Sequence, residues 1–304
     1  MIKFQQVEIS LGKIIQNNKV LEDKFKLRRN SILKKTGIRK RYISSLDETS
    51  EILAINCCKK IKKKYISRLT HIISVSNTPS HFFPSISQLI SSYLNVKQNT
   101  QCLSLNLGCS GFVDALILSY DIIKSNKNAT ILLITTDTYS KYIHPKNKNI
   151  KSLFSDGASA TIISYSKSGW HLKKKYSATI PKSQNNLILK VYNKKIDYIY
   201  MNGPEIVSFA IKHVIPKIKE FLNYNQKQCL IIHQAGKIVL DQISIVLNKK
   251  IFMPKNYQLF GNLVSTSIPL VLKKNLKKIE KYKNILFCGF GVGLTHSYIK
   301  LIKK

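Results

Sequence analysis

Between Gln101 and Asp137 the chain runs a strand, a sharp corner, a buried helix and a second strand without interruption. QCLSLNLG sets Leu103, Leu105 and Leu107 in alternation beside Cys102, the period of a strand. SGFVDALILSYDIIKS has helical spacing but is apolar nearly all round, so it must be covered on every side. ATILLITTD is a compact β-branched run that suits a central strand.

The rest of the chain repeats the alternation. QVEISLGKII reads as an opening strand, and ETSEILAINCCKKIKKKY as a helix with Ile52, Leu53, Ile55 and Cys58 on its apolar positions. LTHIISVSN is a short strand, and PSISQLISSYL a helix with Pro84 at its start. SDGASATIISY turns at a glycine into another strand. GPEIVSFAIKHVIPKIKEFL reads as a helix, QCLIIH as a strand, QAGKIVLDQISIVL and SIPLVLKKNLKKI as helices, and NILFCGFGVGLTHSYIKL as a closing strand. Strands alternating with helices imply an α/β protein. A length of 304 residues suits two fused units or one large domain. The Lys/Ser-rich stretch at 165–185 is the candidate joint between halves.

Composition narrows the function classes. The amino terminus lacks the apolar core of a secretion signal, and no run of 18 apolar residues exists, so a cytoplasmic protein without a membrane span is expected. Six cysteines lie scattered, with no C-x-x-C pair and no metal-ligand spacing to histidine. The formal charge of +35 would ordinarily suggest nucleic acid. Yet the cations are nearly all lysine, arginine standing only at 28, 29, 39, 41 and 68, and no nucleic-acid motif is present. A bias toward AT-rich codons produces the same Lys/Asn/Ile excess. The other reading is a field that draws an acidic or phosphate-bearing partner.

Chemistry centres on Cys109, between Gly108 and Ser110-Gly111 where the strand meets the apolar helix. Unpaired N–H groups and a partial positive charge at a helix start favour a thiolate, so a lowered pKa is expected there. Taken alone, a buried structural thiol fits equally well. Among seven histidines, His233 alone combines a strand end, a following helix and Gln-Ala-Gly. A core histidine is its plainer reading. Gly261-Asn262 marks a turn ahead of a helix, where the amide could donate to a carbonyl gaining negative charge. FCGFGVGLTHS offers backbone N–H groups near a ligand without forming GxGxxG.

Read together, TGIRKRY, NTPSHFFPS, NLGCSGF, LFSDGASA, HQAGK, GNLVSTSIP and GFGVGLTHS occur in the order and spacing of one family. The chain resembles the beta-ketoacyl-[acyl-carrier-protein] synthase III group of thiolase-fold condensing enzymes over essentially its whole length. The resemblance implies a thiolase-like fold of two pseudo-twofold-related halves, 1–165 and 166–304, in five αβαβα layers. It implies that Cys109 takes an acyl group from acyl-CoA and that malonyl-acyl-carrier protein then condenses with it after losing CO2. His233 and Asn262 would donate to the enolate oxygen, each worth about 2–4 kcal/mol of barrier. The backbone N–H groups of Cys109 and Val292 would hold the acyl oxyanion. Arg39 would meet CoA phosphates, Phe83 would reach from a partner subunit of a homodimer into the acyl pocket, and Lys237 would help dock the carrier protein. Phe82 is the alternative to Phe83, and a plain core aromatic is the alternative to both. Asp156-Gly157 would be a turn that shapes the site. No metal, flavin or nucleotide cofactor and no nucleic-acid partner is implied.

Four positions depart from the family's pattern: Gly236 stands where Asn is usual, Ile238 where Arg is usual, Ser31 where an aromatic residue stacks on the CoA base, and Val292 where Gly is usual. They leave the donor and the acyl length open. An acyltransferase passing the acyl group to oxygen, nitrogen or a ketoacid without decarboxylation is the same-fold alternative. A non-catalytic subunit that binds carrier protein is a further one.

Overall fold

A computed structural model describes residues 1–192 and 195–303. Ten strands and seven longer helices carry the architecture. The first sheet contains β1 (Ile2–Leu11), β2 (His71–Val75), β3 (Gln101–Leu105), β4 (Thr130–Asp137) and β5 (Gly157–Tyr165). The second contains β6 (His171–Thr179), β7 (Gln228–Ile232), β8 (Ile251–Phe252), β9 (Asn284–Phe290) and β10 (Thr295–Ile302). The strand order is β1-β5-β4-β2-β3 in one and β6-β10-β9-β7-β8 in the other, the same order in each sheet. The pairing directions match too. In each sheet the outer strand and its neighbour are antiparallel, as are the next two, and the remaining pairs are parallel.

Helices fill three further layers: α1 (Ser50–Cys58), α2 (Ile86–Leu94), α3 (Gly111–Ser125), α4 (Gly203–Phe209), α5 (Ile215–Phe221), α6 (Lys237–Ile245) and α7 (Ser267–Ile279). The apolar helix α3 lies beside α7 between the two sheets. Phe112 and Leu116 of α3 and Val271 and Leu272 of α7 share one cluster with Ile73 and Leu133 of the first sheet and Ile231 and Phe287 of the second. Alternate strand residues face outward, as a two-residue period demands. Ile72 and Leu132 pack under α1 and α2. Leu230 and Ile232 pack under α4, α5 and α6. The result is five layers, αβαβα. Each fully buried Leu, Ile or Phe in the middle layer contributes roughly 1.5–3 kcal/mol of transfer free energy.

Several expected boundaries shift. Within 165–185, Lys174 and its neighbours form β6 at the edge of the second sheet. The closing strand is two strands around a corner at Gly291–Leu294. In α1 the buried apolar residues are Leu53, Ala54, Cys57 and Cys58, while Ile52 faces solvent. Pro84 precedes the capping Ser85 and so lies just outside α2. The helix expected from Gly203 to Leu222 widens into a π turn at Ala210–Val214, just ahead of Pro216. Proline lacks an N–H and its ring crowds the carbonyl four residues back, so the wider turn relieves the misfit. Among the described residues no helix is long and apolar enough to cross a membrane.

Candidate active site

Cys109 sits where β3 has ended and α3 begins. The N–H of Gly111 donates to the Gly108 carbonyl at 2.9 Å, closing the corner. The thiol is buried, 3% exposed, among Tyr139, Phe154, Leu187 and Val264. Gly291 crosses directly over it. A Cβ built on Gly291 would lie 2.8 Å from the sulfur, and its φ of +156° is one that side chains rarely adopt. The Val292 backbone N–H then faces the sulfur, and with the N–H of Cys109 itself it draws the thiol pKa downward. Burial outweighs both, with the Asp137 carboxylate adding to it, and the thiol is pushed up to about 12. The expectation of a lowered pKa is therefore corrected. The helix start is present, but desolvation is the larger effect at a site closed to water.

His233 ends β7, its N–H donating to the Cys288 carbonyl of β9 at 2.9 Å. Gln234 braces the turn. Its amide donates to the Ile232 carbonyl at 2.8 Å and its carbonyl accepts from the Asn256 N–H at 2.8 Å. Burial lowers the imidazole pKa to about 3, a backbone hydrogen bond with Val264 acting the other way. The ring is neutral at working pH, and its Nδ1 is buried without a hydrogen-bond partner among the described residues.

Asn262 is stitched to the turn after Ile150: its N–H donates to Leu153 at 2.9 Å and its carbonyl accepts from Ser155 at 2.8 Å. Its side-chain oxygen accepts the Val264 N–H at 2.9 Å, which leaves the NH2 end to donate. Val264 has φ +50°, a genuine outlier for a β-branched residue. That one strained backbone bonds both Asn262 and the His233 ring.

Cys109, His233 and Asn262 line a single cavity of about 1020 Å³. Sequence reasoning did not find its walls: Phe154, Leu187, Met201, Ile206 and Val207 supply apolar surface. Exposed Lys35 and Lys212 stand with Lys237 at the mouth. The apolar wall residues sit in a loop, in the short antiparallel pair that joins Leu187 to Met201, and on α4, where no motif marks them. Lys237 pairs with Asp241 at 2.6 Å. Gly236 has φ +115° at the head of α6, so this departure from HQAN accompanies a backbone that favours glycine.

Other expected residues lie elsewhere. Arg39 is exposed and outside the cavity lining, its N–H donating to Gln258 at 2.7 Å. Phe82 and Phe83 are both more than four-fifths exposed, which rules out a core role. Asp156 is a buried knot, accepting from the N–H groups of Ser44 and Ser140 and the Ser140 hydroxyl. Fully buried Arg41 donates to the Ser152 carbonyl at 3.1 Å and supports the cavity wall. Buried Asp137 accepts from the Asn77 N–H at 2.9 Å in the first half and the Ser265 hydroxyl at 2.5 Å in the second.

A family profile for 3-Oxoacyl-[acyl-carrier-protein (ACP)] synthase III matches residues 103–178, and one for its C-terminal part matches 219–300. A beta-ketoacyl-[acyl-carrier-protein] synthase III of Clostridium perfringens is 30% identical, with 86% of each chain covered. The chain belongs to the beta-ketoacyl-[acyl-carrier-protein] synthase III family. A Bacillus anthracis beta-ketoacyl-[acyl-carrier-protein] synthase III 2 is also 30% identical, over 94% of this chain and 92% of that one. A crystal structure of a 3-oxoacyl-(acyl-carrier-protein) synthase III superposes with a TM-score of 0.87 at 25% identity, covering 100% of this chain and 99% of that one. The fold is thiolase-like, and this family member is an acyltransferase of the condensing type.

Proposed function

We propose that the protein transfers an acyl group from acyl-CoA to Cys109 and condenses it with malonyl-acyl-carrier protein. The observation that carries this reading is the convergence of Cys109, His233 and Asn262 on one cavity. The resting pair is neutral, since the thiol is raised and the imidazole lowered. The thiol therefore loses its proton as the sulfur engages the thioester carbon, and negative charge passes to the carbonyl oxygen. The N–H groups of Cys109 and Val292 support that oxygen. Collapse breaks the acyl–CoA bond, and the proton finishes on the departing CoA thiol.

In the second stage the malonyl carbon–carboxylate bond breaks, CO2 leaves, and its electron pair becomes an enolate. An N–H of neutral His233 and the NH2 of Asn262 stabilise the enolate oxygen. The enolate carbon attacks the acyl carbonyl, the Cys109 thiolate leaves and is reprotonated, and a 3-oxoacyl-carrier protein results. Lys35, Lys212 and Lys237 suit a phosphate-bearing arm and an acidic carrier at the mouth, with Arg39 nearby on the surface for CoA phosphates. We place the division between the halves at 165/166. The exposed edge strand β3 and the exposed Phe82 and Phe83 support a homodimer in which Phe83 enters the partner's acyl pocket. Six free cysteines and the missing span suit the cytoplasm.

The test is intact-protein mass spectrometry with acetyl- and octanoyl-CoA. Acylation that disappears in Cys109→Ala supports the first stage. CO2 release on adding malonyl-carrier protein supports the second. Acylation without CO2 release, in wild-type protein, would instead establish the non-decarboxylating transferase.

A further inference from the structure

At the end of the second sheet opposite His233, two concavities meet. In the first, about 900 Å³, five of eight lining residues are lysines: Lys227, Lys277, Lys278, Lys281 and Lys283. The second, about 400 Å³, shares Lys283, Gln226 and Asn284 with it and adds Lys173, Lys300 and Lys303. Among the described residues no carboxylate lines either one. The segments ahead of β7 and β9 build this face, so it is separated from the active site by the length of β7, roughly 17 Å.

Among the described residues six lysines elsewhere on the surface pair with acids, among them Lys175 with Asp121, Lys273 with Glu8 and Lys255 with Asp241. None of these eight has an ion pair among the described residues. Several are held instead by rings and carbonyls. Lys278 lies 3.9 Å over the Phe252 ring, Lys303 4.6 Å over Trp170, and Lys300 donates to the Phe221 carbonyl at 2.7 Å. Burial, with Lys173 and Lys174 adding to it, presses the Lys300 pKa downward, so positive charge is crowded here without compensation. A codon bias multiplies lysines but does not gather them in a concavity cleared of acids. Such a recess focuses a positive potential.

We propose that the joined concavities bind a compact polyphosphate anion, a run of three or more phosphates, free or carried on a nucleoside. Compact shape and point-charge ammonium donors fit clustered phosphates. The lining contains no arginine, the residue suited to reading base edges.

The experiment is calorimetric titration of wild-type protein with inorganic tripolyphosphate and with ATP at physiological salt. It is repeated on Lys227→Glu/Lys277→Glu/Lys281→Glu and on a charge-matched control, Lys59→Glu/Lys64→Glu/Lys97→Glu. Tighter binding of ATP than of tripolyphosphate assigns the nucleoside-borne source; equal or weaker binding assigns the free chain. At least a tenfold loss in the first triple variant, at most twofold in the control, and unchanged Cys109 acylation in both are expected. Equal losses, or no binding to wild-type protein, would overturn the proposal. Should the variant not fold, lysine acetylation of wild-type protein read by mass spectrometry decides. Tripolyphosphate should protect Lys277, Lys281 and Lys283 over Lys59, Lys64 and Lys97. Even protection, or stronger protection of those lysines by a short DNA duplex than by tripolyphosphate, would overturn the compact-anion assignment.

Discussion

The two halves share a strand order and a central helix each, yet their loops do different work. After the third strand of the first half, the chain turns at once into α3 and leaves Cys109 at the corner. After the third strand of the second half it makes a longer excursion before α7, and Asn262 lies in that excursion. The second strand leads to the Asn77–Asp137 hydrogen bond in one half and to His233 in the other. A shared scaffold fixes where loop ends meet, and the loop sequences decide which side chains arrive there. In the proposed reaction the first half takes the acyl group and the second half generates the carbanion.

The sharpest way to break this division is by deletion. Cys109→Ala should abolish acylation in the mass-spectrometric assay. His233→Ala and Asn262→Ala should each acylate at near wild-type rate while losing about 10²–10³-fold in condensation. Equal loss of both stages in either variant would end the division of labour. Next in size is Gly291→Ala, whose new methyl group would meet the Cys109 sulfur. About a hundredfold slower acylation is expected in stopped-flow measurements, because small displacements of a nucleophile are costly; an unchanged rate would show that the corner gives way. At the outer edge of the first sheet, Leu103→Lys should shift the protein to monomer in analytical ultracentrifugation and lower condensation by about tenfold. A charged side chain on an edge strand opposes strand pairing.

Smallest in catalytic terms is a contrast in pH dependence. His233 has a folded pKa near 3 against an ordinary 6.5, so below pH 6.5 the unfolded chain binds the extra proton and stability falls as pH drops toward 3. Asp137 is raised by burial from 3.8 to about 7, so the folded state holds the extra proton and stability falls as pH rises from 3.8 to 7. Urea midpoints should show a flatter acid limb in His233→Gln and a flatter limb toward neutrality in Asp137→Asn. Parallel curves for wild-type protein and a variant would remove that group from the account.

Much of the scaffold was legible because burial leaves a period in the sequence. The apolar circumference of Phe112–Ile123 required cover on all sides, and α3 has a sheet on each face. Within the Lys/Ser-rich stretch 165–185, strand β6 was not legible because it is an edge strand whose residues are largely solvent-facing, so no apolar alternation marks it. The alternation around Leu103 marked a strand but not its place, and because β3 is the other sheet's edge Leu103 is exposed. Cys109, His233 and Asn262 stood out through the corners and motifs around them. Val264, Asp137 and the wall residues Phe154 and Met201 did not, because the fold supplies what they touch, as where Asp137 meets Asn77 and Ser265 from separate parts of the chain.

Local chemistry determined the alternation of strands and helices, the glycine corners and which side chains are candidates for reaction, since each depends on residues a few positions apart. Only tertiary structure decided that sulfur, imidazole and amide share one cavity, that burial rather than the helix start governs the thiol, and that eight lysines meet without an acid among the described residues. Solvation and Coulomb energies depend on what surrounds a group in space, and that is set when the two sheets close over α3 and α7.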